Sequence, residues 1–344
     1  MENTEKIGTL THKTAKTLDR RISVAPMMDY TDRHCRFFLR LLSPSALLYT
    51  EMITAKALLH GDVSRLLDFD AAEQPVALQL GGSDPEELAA AARLGAQWGY
   101  REINLNCGCP SDRVKSGRFG SCLMSEPERV RDCVAAMRAV VSIPVTIKCR
   151  IGIEPGMADK TDDEFLQHFI GTVATAGCEV FIVHARRAVL AGLSPKENRE
   201  IPPLRYDVAS RLRHSFPTLK FIVNGGIRSV ATVTEHLQQF NGVMIGREAY
   251  QNPFLLAELH QHLYEPHAVL PDRAAVIGAY GAYAAARIAA GDRLNVLVRH
   301  MLGLYYGLPR ARSWRRFLSE NAVRPGVSAQ LINDSLRIVT SQAA

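Results

Sequence analysis

The chain contains 344 residues with a formal net charge of +6, and 47% of its residues are hydrophobic. A chain of this size can form one large domain and a small one, and its excess of Lys and Arg is compatible with a polyanionic partner. The seven cysteines show no Cys-x-x-Cys spacing, which argues against zinc frameworks and is typical of a reducing compartment. Residues 1–20 are polar, without the apolar stretch of a signal peptide, and no apolar segment has membrane-spanning length. We therefore expect a cytoplasmic protein without membrane contact.

Eight short runs rich in β-forming residues predict eight strands, at 22–27, 47–52, 76–80, 102–105, 145–149, 180–184, 221–223 and 243–245. Amphipathic helical patterns separate most of them, and Ser83-x-x-Glu86 and Ser125-x-x-Glu128 predict capping boxes at two helix starts. This alternation predicts an α/β fold, a (β/α)8 TIM barrel, over residues 21–265. An open doubly wound sheet is the alternative. The first run, however, is followed by Ala25-Pro26-Met27-Met28 and not by Gly-x-Gly-x-x-Gly.

A change of composition at 266–271 predicts a linker, and the sequence beyond it is helical in pattern. Helices expected at 273–290, 293–306, 311–320 and 329–339 would form a small C-terminal bundle, a second domain at 272–344. Between 293 and 319 there are six arginines and no acidic residue, and Arg312, Arg315 and Arg316 share one helix face. Such a face is often only solvated, but the lack of acidic residues favours an anionic partner.

Polar and glycine residues follow the predicted strands, at the end of the barrel where this fold places its chemistry. Gly225-Gly226, with Ser229 capping the next helix, and Gly246-Arg247 follow the last two strands and predict a phosphate cradle. Cys109 lies in a Gly-Cys-Pro turn after the fourth strand, where a thiol is accessible and reactive. The full set is Pro26, Met27, Met28, Glu51, Gln79, Asn106, Cys109, Lys148, Arg150, His184, Arg186, Asn224, Gly225, Gly226, Gly246 and Arg247.

Three of these side chains favour a bound cofactor. Lys148 ends a buried strand, where an unpaired ammonium is costly unless an anionic or polar ligand meets it. Gln79 can both donate and accept hydrogen bonds, as the edge of a heterocycle requires. His184 also ends a strand, and it is either a core histidine or a ligand-binding one.

Several ordered motifs of this chain resemble those of the tRNA-dihydrouridine synthases. The motifs are Val24-Ala25-Pro26-Met27, Leu78-Gln79-Leu80-Gly81-Gly82, Asn-Leu-Asn-Cys-Gly-Cys-Pro-Ser-Asp-Arg-Val at 104–114 with Gly117, Gly120 and Leu123-Met124, then Lys148, His184, Asn224-Gly225-Gly226 and Gly246-Arg247. The resemblance spans residues 22–254. Residues 194–204, Ser-Pro-Lys-Glu-Asn-Arg-Glu-Ile-Pro-Pro-Leu, are similar to the signature of the A subfamily, and 305–321 extend the similarity into the helical tail.

The resemblance implies an FMN enzyme that uses NADPH to reduce the C5=C6 bond of uridine in the tRNA D-loop, at positions 20 and 20a for this subfamily. Cys109 would donate the proton. Contacts to the D-arm of tRNA would come from Asn106, Lys196, Arg199, Arg312 and Arg315. FMN would be bound by Pro26, Met27, Met28, Gln79, Lys148, His184, Asn224, Gly225, Gly226, Gly246 and Arg247.

Two further expectations concern the second thiol and the state of the protein. Cys107 departs from the family pattern, which has an apolar residue here, and it places a second thiol near the site. We expect no metal, because Cys107 and Cys109 lack further ligands at a suitable spacing. We also expect a monomer.

The chemistry implied for Cys109 agrees with elementary reactivity. The C5=C6 bond of uracil is conjugated to the C4 carbonyl, so hydride from flavin N5 can add at C6, and a proton must then reach C5. A cysteine with a pKa near ~8.5 keeps its proton at neutral pH yet can release it. Lys148, Arg150 and His184 are candidates to stabilise the developing enolate.

Two other functions remain open at this point. A flavin-dependent TIM-barrel dehydrogenase acting on a free pyrimidine would share the barrel, but it would not need a basic helical tail. A tRNA-binding factor without catalysis would need the tail, but neither Cys109 nor the phosphate cradle.

Overall fold

The computed structural model describes residues 18–111, 117–157 and 160–340. Most of the polar tail, Asp112, Arg113 and Val114 of the cysteine motif, and the last four residues of the helical domain lie outside these ranges. Eight parallel strands close into a barrel in the order β1-β10-β9-β7-β5-β4-β3-β2, and β6 pairs with β8 beside it. The strands are β1 (Ile22–Val24), β2 (Leu47–Thr54), β3 (Val76–Gly81), β4 (Glu102–Cys107), β5 (Val145–Arg150), β6 (Ile153–Glu154), β7 (Val180–His184), β8 (Ala188–Val189), β9 (Lys220–Asn224) and β10 (Gly242–Ile245).

The closed barrel confirms the predicted fold class and excludes the open doubly wound sheet. All eight predicted runs are strands, but the first ends at Val24 and not at residue 27. Pro26 lacks an N–H for a strand ladder. The N–H of Met27 donates instead to Oγ1 of Thr31, which turns the chain away from the sheet.

Helices cover the outside of the barrel and continue into the C-terminal bundle. Around the barrel lie α1 (Arg33–Leu42), α2 (Ala55–His60), α3 (Val63–Leu67), α4 (Pro85–Trp98), α5 (Pro127–Arg138), α6 (Asp162–Ala174), α7 (Tyr206–Ser215), α8 (Val230–Gln239), α9 (Arg247–Gln251) and α10 (Leu255–Tyr264). The bundle contains α11 (Arg273–Ala289), α12 (Leu294–Val298), α13 (Ala311–Asn321), α14 (Gln330–Asp334) and α15 (Leu336–Thr340). No helix in these described ranges is long and apolar enough to cross a membrane.

Both predicted capping boxes are wrong. Asp84, not Ser83, caps α4, because Pro85 occupies the first helical position and its fixed φ places the start there. The helix α5 likewise begins at a proline and has no side-chain cap. Ser125 instead donates to the Cys122 carbonyl, within the 3-10 turn that precedes α5.

Two layers of apolar side chains hold the barrel together. The larger layer lies between the strands and the surrounding helices. The smaller layer fills the lower barrel interior, and it is formed by Ala25, Leu47, Tyr49, Ala77, Val180, Ile182, Ile222 and Met244, with Leu18 and Met27 against it. Polar side chains, among them those of Glu102, Asn104 and Thr146, share the barrel interior with this layer.

The segment just before β1 closes the bottom of the barrel and is not a free tail. Arg20 pairs with the fully buried carboxylate of Glu102, at 2.5 Å between Nη2 and Oε2. Gly242 permits this path, since a Cβ at that position would lie 1.9 Å from the Arg20 carbonyl oxygen. The N–H of Val243 then donates to the carbonyl of Arg21.

The C-terminal helices pack onto the barrel through α1. Asp32 caps α1, accepting from the N–H groups of His34 and Cys35, and it also binds Arg299 at 2.7 Å and His300 at 3.0 Å. These bonds hold the pKa of Asp32 below its usual value against the opposing effect of burial. One carboxylate therefore fixes both the start of α1 and the position of the bundle.

The close approach at Gly242 gives a first prediction. Gly242→Ala should lower the free energy of unfolding by about 1–3 kcal/mol, because the new methyl group meets backbone that cannot rotate away. Gly278→Ala is the matched control, since its Cβ would lie in open space on α11; there alanine should add about 0.5–1 kcal/mol. Urea unfolding measures both changes. Equal stability of the two variants would contradict the proposed role of Gly242.

Candidate functional site

The Cys109 turn is held from both sides of its peptide backbone. Oδ1 of Asn106 accepts from the N–H of Gly108 at 3.1 Å and from that of Cys109 at 2.9 Å. The N–H and the hydroxyl of Ser121 both donate to the Cys109 carbonyl at 3.0 Å. The thiol is half-buried, and Ser111 is its hydrogen-bond neighbour at 3.5 Å. Sequence reasoning missed Ser121, since it lies in a 3-10 turn twelve positions further along the chain.

Gln79 and Asn106 lie side by side in the upper barrel. Nδ2 of Asn106 donates to Oε1 of Gln79 at 2.9 Å, and Nε2 of Gln79 donates to Asn104 at 2.8 Å. Gln79 is 1% and Asn106 8% exposed. Asn106 therefore orients the cysteine turn, and one Nδ2 hydrogen remains beyond these bonds.

Lys148 and His184 occupy the neighbouring strands and face a polar interior. Nζ of Lys148 donates to Oδ1 of Asn224 at 3.2 Å, while Nδ2 of Asn224 donates to the Met244 carbonyl at 2.7 Å. Burial, followed by the charge of Arg150, lowers the pKa of Lys148 to about 8. Burial and the same cations hold the pKa of His184 well below its ordinary value, so this imidazole is neutral at pH 7.

Arg150 has a structural role that the sequence did not reveal. Its guanidinium donates to three carbonyl oxygens, those of Gly108, Arg187 and Asn198. It is 4% exposed. Arg150 thus ties the cysteine turn to the loop after β7, and these bonds leave it little freedom to follow a reacting oxygen.

The Gly225-Gly226 turn has the geometry of a close backbone approach. Both residues have positive φ, at 117° and 69°. A Cβ on Gly226 would lie 2.5 Å from Cδ1 of Leu204, and the hydroxyl of Tyr206 donates to the Gly225 carbonyl at 2.5 Å. Only glycine fits here. Ser229 caps α8 as the sequence predicted.

Arginines gather beside this turn in excess of acidic groups. Arg247 pairs with Glu200 at 2.5 Å, and Arg186 donates to the carbonyl oxygens of Glu200 and Pro202. The Nε atoms of Arg186 and Arg199 are buried and have no hydrogen-bond partner among the described residues. Buried guanidinium donors without acceptors are costly, so this group of arginines is suited to an anion such as a phosphate.

The loop after β7 is organised by a buried asparagine that the sequence did not single out. The side chain of Asn198 donates to the carbonyls of Val189, Leu193 and Ser194 and accepts from the N–H of Val189. Lys196 is exposed on this loop, whereas Arg199 is half-buried and points toward the arginine group. The two predicted tRNA contacts on this loop therefore differ in accessibility.

The remaining predicted positions fall into three places. Pro26 and Met27 are half-buried at the end of β1, and Met28 is exposed. Gly246 precedes α9, with open space at its Cβ position. Glu51 is half-buried in β2, and burial raises the pKa of its carboxyl.

On α13 the buried Trp314 donates from its indole nitrogen to Ser335 at 2.9 Å, which fixes the orientation of the helix. Arg312, Arg315 and Arg316 consequently face solvent. No ion pair in the described ranges involves them. The three arginines thus form the expected basic face, and the Trp314 bond fixes the direction in which this face points.

Cys107 does not add a second thiol to the site. It is fully buried in the layer between strands and helices, where burial raises the pKa of its thiol. Because side chains alternate along β4, the inward direction of Asn106 turns Cys107 outward. No group of three metal-ligating side chains occurs in the part of the chain that the structure describes.

The chain is similar to proteins of one family over most of its length. The family model described as "Dihydrouridine synthase (Dus)" matches residues 23–339. The tRNA-dihydrouridine(20/20a) synthase of Shewanella oneidensis is 55% identical over 318 residues, 92% of this chain and 93% of that protein. The tRNA-dihydrouridine(20/20a) synthase of Vibrio cholerae is 53% identical over 323 residues, which are 94% of this chain and 97% of that protein. A solved 2-naphthoyl-CoA reductase complex covers 70% of this chain and 50% of its own, with a TM-score of 0.53 and 10% identity, a likeness of fold alone.

The neutral state of His184 gives a second prediction. The NMR shifts of its ring should stay those of a neutral imidazole from pH 8 down to pH 5.5, because burial and the nearby cations oppose protonation. His184→Gln assigns the signals. A titration midpoint at the ordinary histidine value would mean that the ring is hydrated and not enclosed as described.

Proposed function

The chain belongs to the dihydrouridine synthase family, whose members reduce uridine in tRNA, and we propose that it does so with FMN and NADPH at positions 20 and 20a of the D-loop. The observation that carries this proposal is the Cys109 turn, held by Asn106 and Ser121 at the open end of the barrel. A thiol on such a turn is accessible to a substrate that enters from above.

The residues of the barrel mouth fit a flavin mononucleotide. The unsatisfied guanidinium donor of Arg186 and the adjacent Arg247 are suited to its phosphate, beside the Gly225-Gly226 turn. Lys148 and Gln79 offer donors for the oxygens and nitrogens of a ring. We assign the flavin site to Pro26, Met27, Met28, Gln79, Lys148, His184, Asn224, Gly225, Gly226, Gly246 and Arg247.

When bound, the reduced flavin supplies the hydride that adds to C6 of uridine. The residues of this chain supply the proton for C5 and stabilise the negative charge that develops on O4. Cys109 holds a proton on Sγ and delivers it to C5, and the Sγ–H bond breaks as the C5–H bond forms. Lys148, whose pKa burial lowers to about 8, stabilises the negative charge on O4 until the proton arrives. The thiolate left behind then regains a proton from solvent.

Recognition of tRNA is assigned to two basic surfaces. Lys196 and Arg199 border the mouth on the loop after β7, and Arg312 and Arg315 face solvent on α13. Phosphate contacts from both would hold the D-arm while the target uridine leaves the stack. Asn106 can reach this uridine only through its remaining Nδ2 hydrogen, so its contact with tRNA is secondary to its hold on the turn.

A third prediction separates the two half-reactions. Cys109→Ala should leave flavin reduction by NADPH unchanged and slow flavin reoxidation by tRNA by about 10²–10⁴-fold, because only the second step needs the proton donor. Cys122→Ala removes the other half-buried thiol and is the control. Stopped-flow absorbance follows both steps. Parallel losses in both steps would identify Cys109 as a structural residue.

A fourth prediction concerns the basic face of α13. Arg312→Glu/Arg315→Glu should weaken tRNA binding and reduce the slope of log K against log salt by about 1–2, with flavin absorbance retained. Arg93→Glu/Arg101→Glu changes the net charge equally, on exposed positions away from the mouth, and is the control. Binding is measured by fluorescence anisotropy from 50 to 200 mM salt. Equal effects of the two double variants would refute the assignment.

A further inference from the structure

A continuous chain of hydrogen bonds runs from the bottom of the barrel to the Cys109 turn. We call it the barrel hydrogen-bond chain, and its members are Glu102, Thr146, Asn104, Gln79 and Asn106. Thr146 donates to Glu102 at 2.7 Å, and Asn104 donates to the Thr146 hydroxyl at 2.9 Å. From Asn104 the bonds through Gln79 to Asn106 complete the path. Strand register aligns it, since Asn104 lies opposite both Gln79 and Thr146.

Every member of this chain is enclosed. Glu102, Thr146 and Asn104 have no exposed surface. Buried amides without solvent cannot exchange one partner for water, so each must satisfy its neighbour in the chain. A polar path of five side chains is an expensive way to fill a barrel that apolar residues could fill.

The donor and acceptor roles along the path are determined by chemistry at both ends. At the top, the N–H groups of Gly108 and Cys109 can only donate, so Asn106 must present its oxygen to them and its nitrogen to Gln79. Gln79 and Asn104 each accept a hydrogen bond through the side-chain oxygen and donate one through the side-chain nitrogen. The hydroxyl of Thr146 accepts from Asn104 and therefore donates its own hydrogen to Glu102, a carboxylate that only accepts.

We propose that Thr146 and Glu102 are positioning residues for the tRNA-reducing step: they fix the orientation of the Asn104, Gln79 and Asn106 amides, and thereby the Cys109 turn. A reversed Asn106 amide would direct its donors at the N–H groups of Gly108 and Cys109 and release the turn. This inference rests on the proposed function for its consequence in catalysis, but its structural content does not depend on it.

The structure offers a matched pair of variants to test this. Thr146 and Tyr49 both donate a hydroxyl hydrogen to Oε1 of Glu102, at 2.7 and 2.5 Å. Of these two hydroxyl groups, only that of Thr146 also accepts a hydrogen bond from Asn104. Thr146→Val therefore breaks the chain with little change of volume, whereas Tyr49→Phe deletes a bond to the same oxygen and leaves the chain intact. Thr146→Ser keeps the hydroxyl and is the positive control. If Thr146→Val does not fold, Thr146→Ala replaces it as the variant without a hydroxyl and is compared with Thr146→Ser.

The first measurement needs no cofactor or substrate. Amide hydrogen exchange of Gly108 and Cys109 reports the bonds to Asn106, and Thr146→Val should speed it by about fivefold or more, as the loss of one buried hydrogen bond implies. Alkylation of Cys109 by iodoacetamide, relative to Cys122, should change in the same variant. Tyr49→Phe should stay within about twofold of wild type in both, and Thr146→Ser should return both toward it.

The second measurement links the chain to catalysis. Thr146→Val should slow flavin reoxidation by tRNA by about fivefold or more, and by a larger factor than it slows reduction by NADPH, which depends on Gln79 of the proposed flavin site but not on the Cys109 turn. Equal exchange and alkylation in Thr146→Val and Tyr49→Phe, or wild-type values in both, would overturn the positioning role. A wild-type protein that neither binds flavin nor reduces tRNA would instead overturn the proposed function, and the exchange comparison would still decide whether the barrel hydrogen-bond chain holds the turn.

Discussion

The structure depends on two hydrogen bonds, those that the N–H groups of Gly108 and Cys109 donate to Oδ1 of Asn106. They require a side-chain oxygen at one defined point above β4. Strand alternation provides it, because Asn106 faces inward while Cys107 joins the outer core. Without these bonds the backbone after β4 would have two unsatisfied donors, and only Ser121 and Arg150 would still hold the Cys109 turn.

The barrel mouth also carries more positive than negative charge. Among the described residues, Glu200 is the carboxylate that Arg186, Arg199 and Arg247 share. An anion would balance such a group of charges, and the Nε atoms of Arg186 and Arg199, which have no hydrogen-bond partner among the described residues, support the phosphate site that we propose. The residues that we propose for the phosphate, for the flavin ring and for proton transfer follow one another around the barrel, at the ends of β10, β9, β7, β5 and β4.

The barrel strands and the Cys109 turn could be predicted from the sequence, because they follow from local patterns of residues. Continuous apolar runs predict buried parallel strands, and a Gly-Cys-Pro turn predicts an accessible thiol. The helix starts were wrong where Pro85 and Pro127 determine the first residue. Ser121, Thr146 and Asn198 could not be found, since their partners are set by strand register and loop closure, which connect residues distant in sequence. Cys107 could have been placed correctly from strand alternation alone.

The reaction that we propose leaves dihydrouridine at two adjacent positions of the D-loop. The most direct measurement is to map dihydrouridine at single-nucleotide resolution in tRNA from cells that lack the gene, with and without a plasmid copy. We expect the modification to disappear at positions 20 and 20a, to persist elsewhere in the D-loop, and to return with the plasmid. Unchanged tRNA, or a loss at other D-loop positions instead, would contradict it.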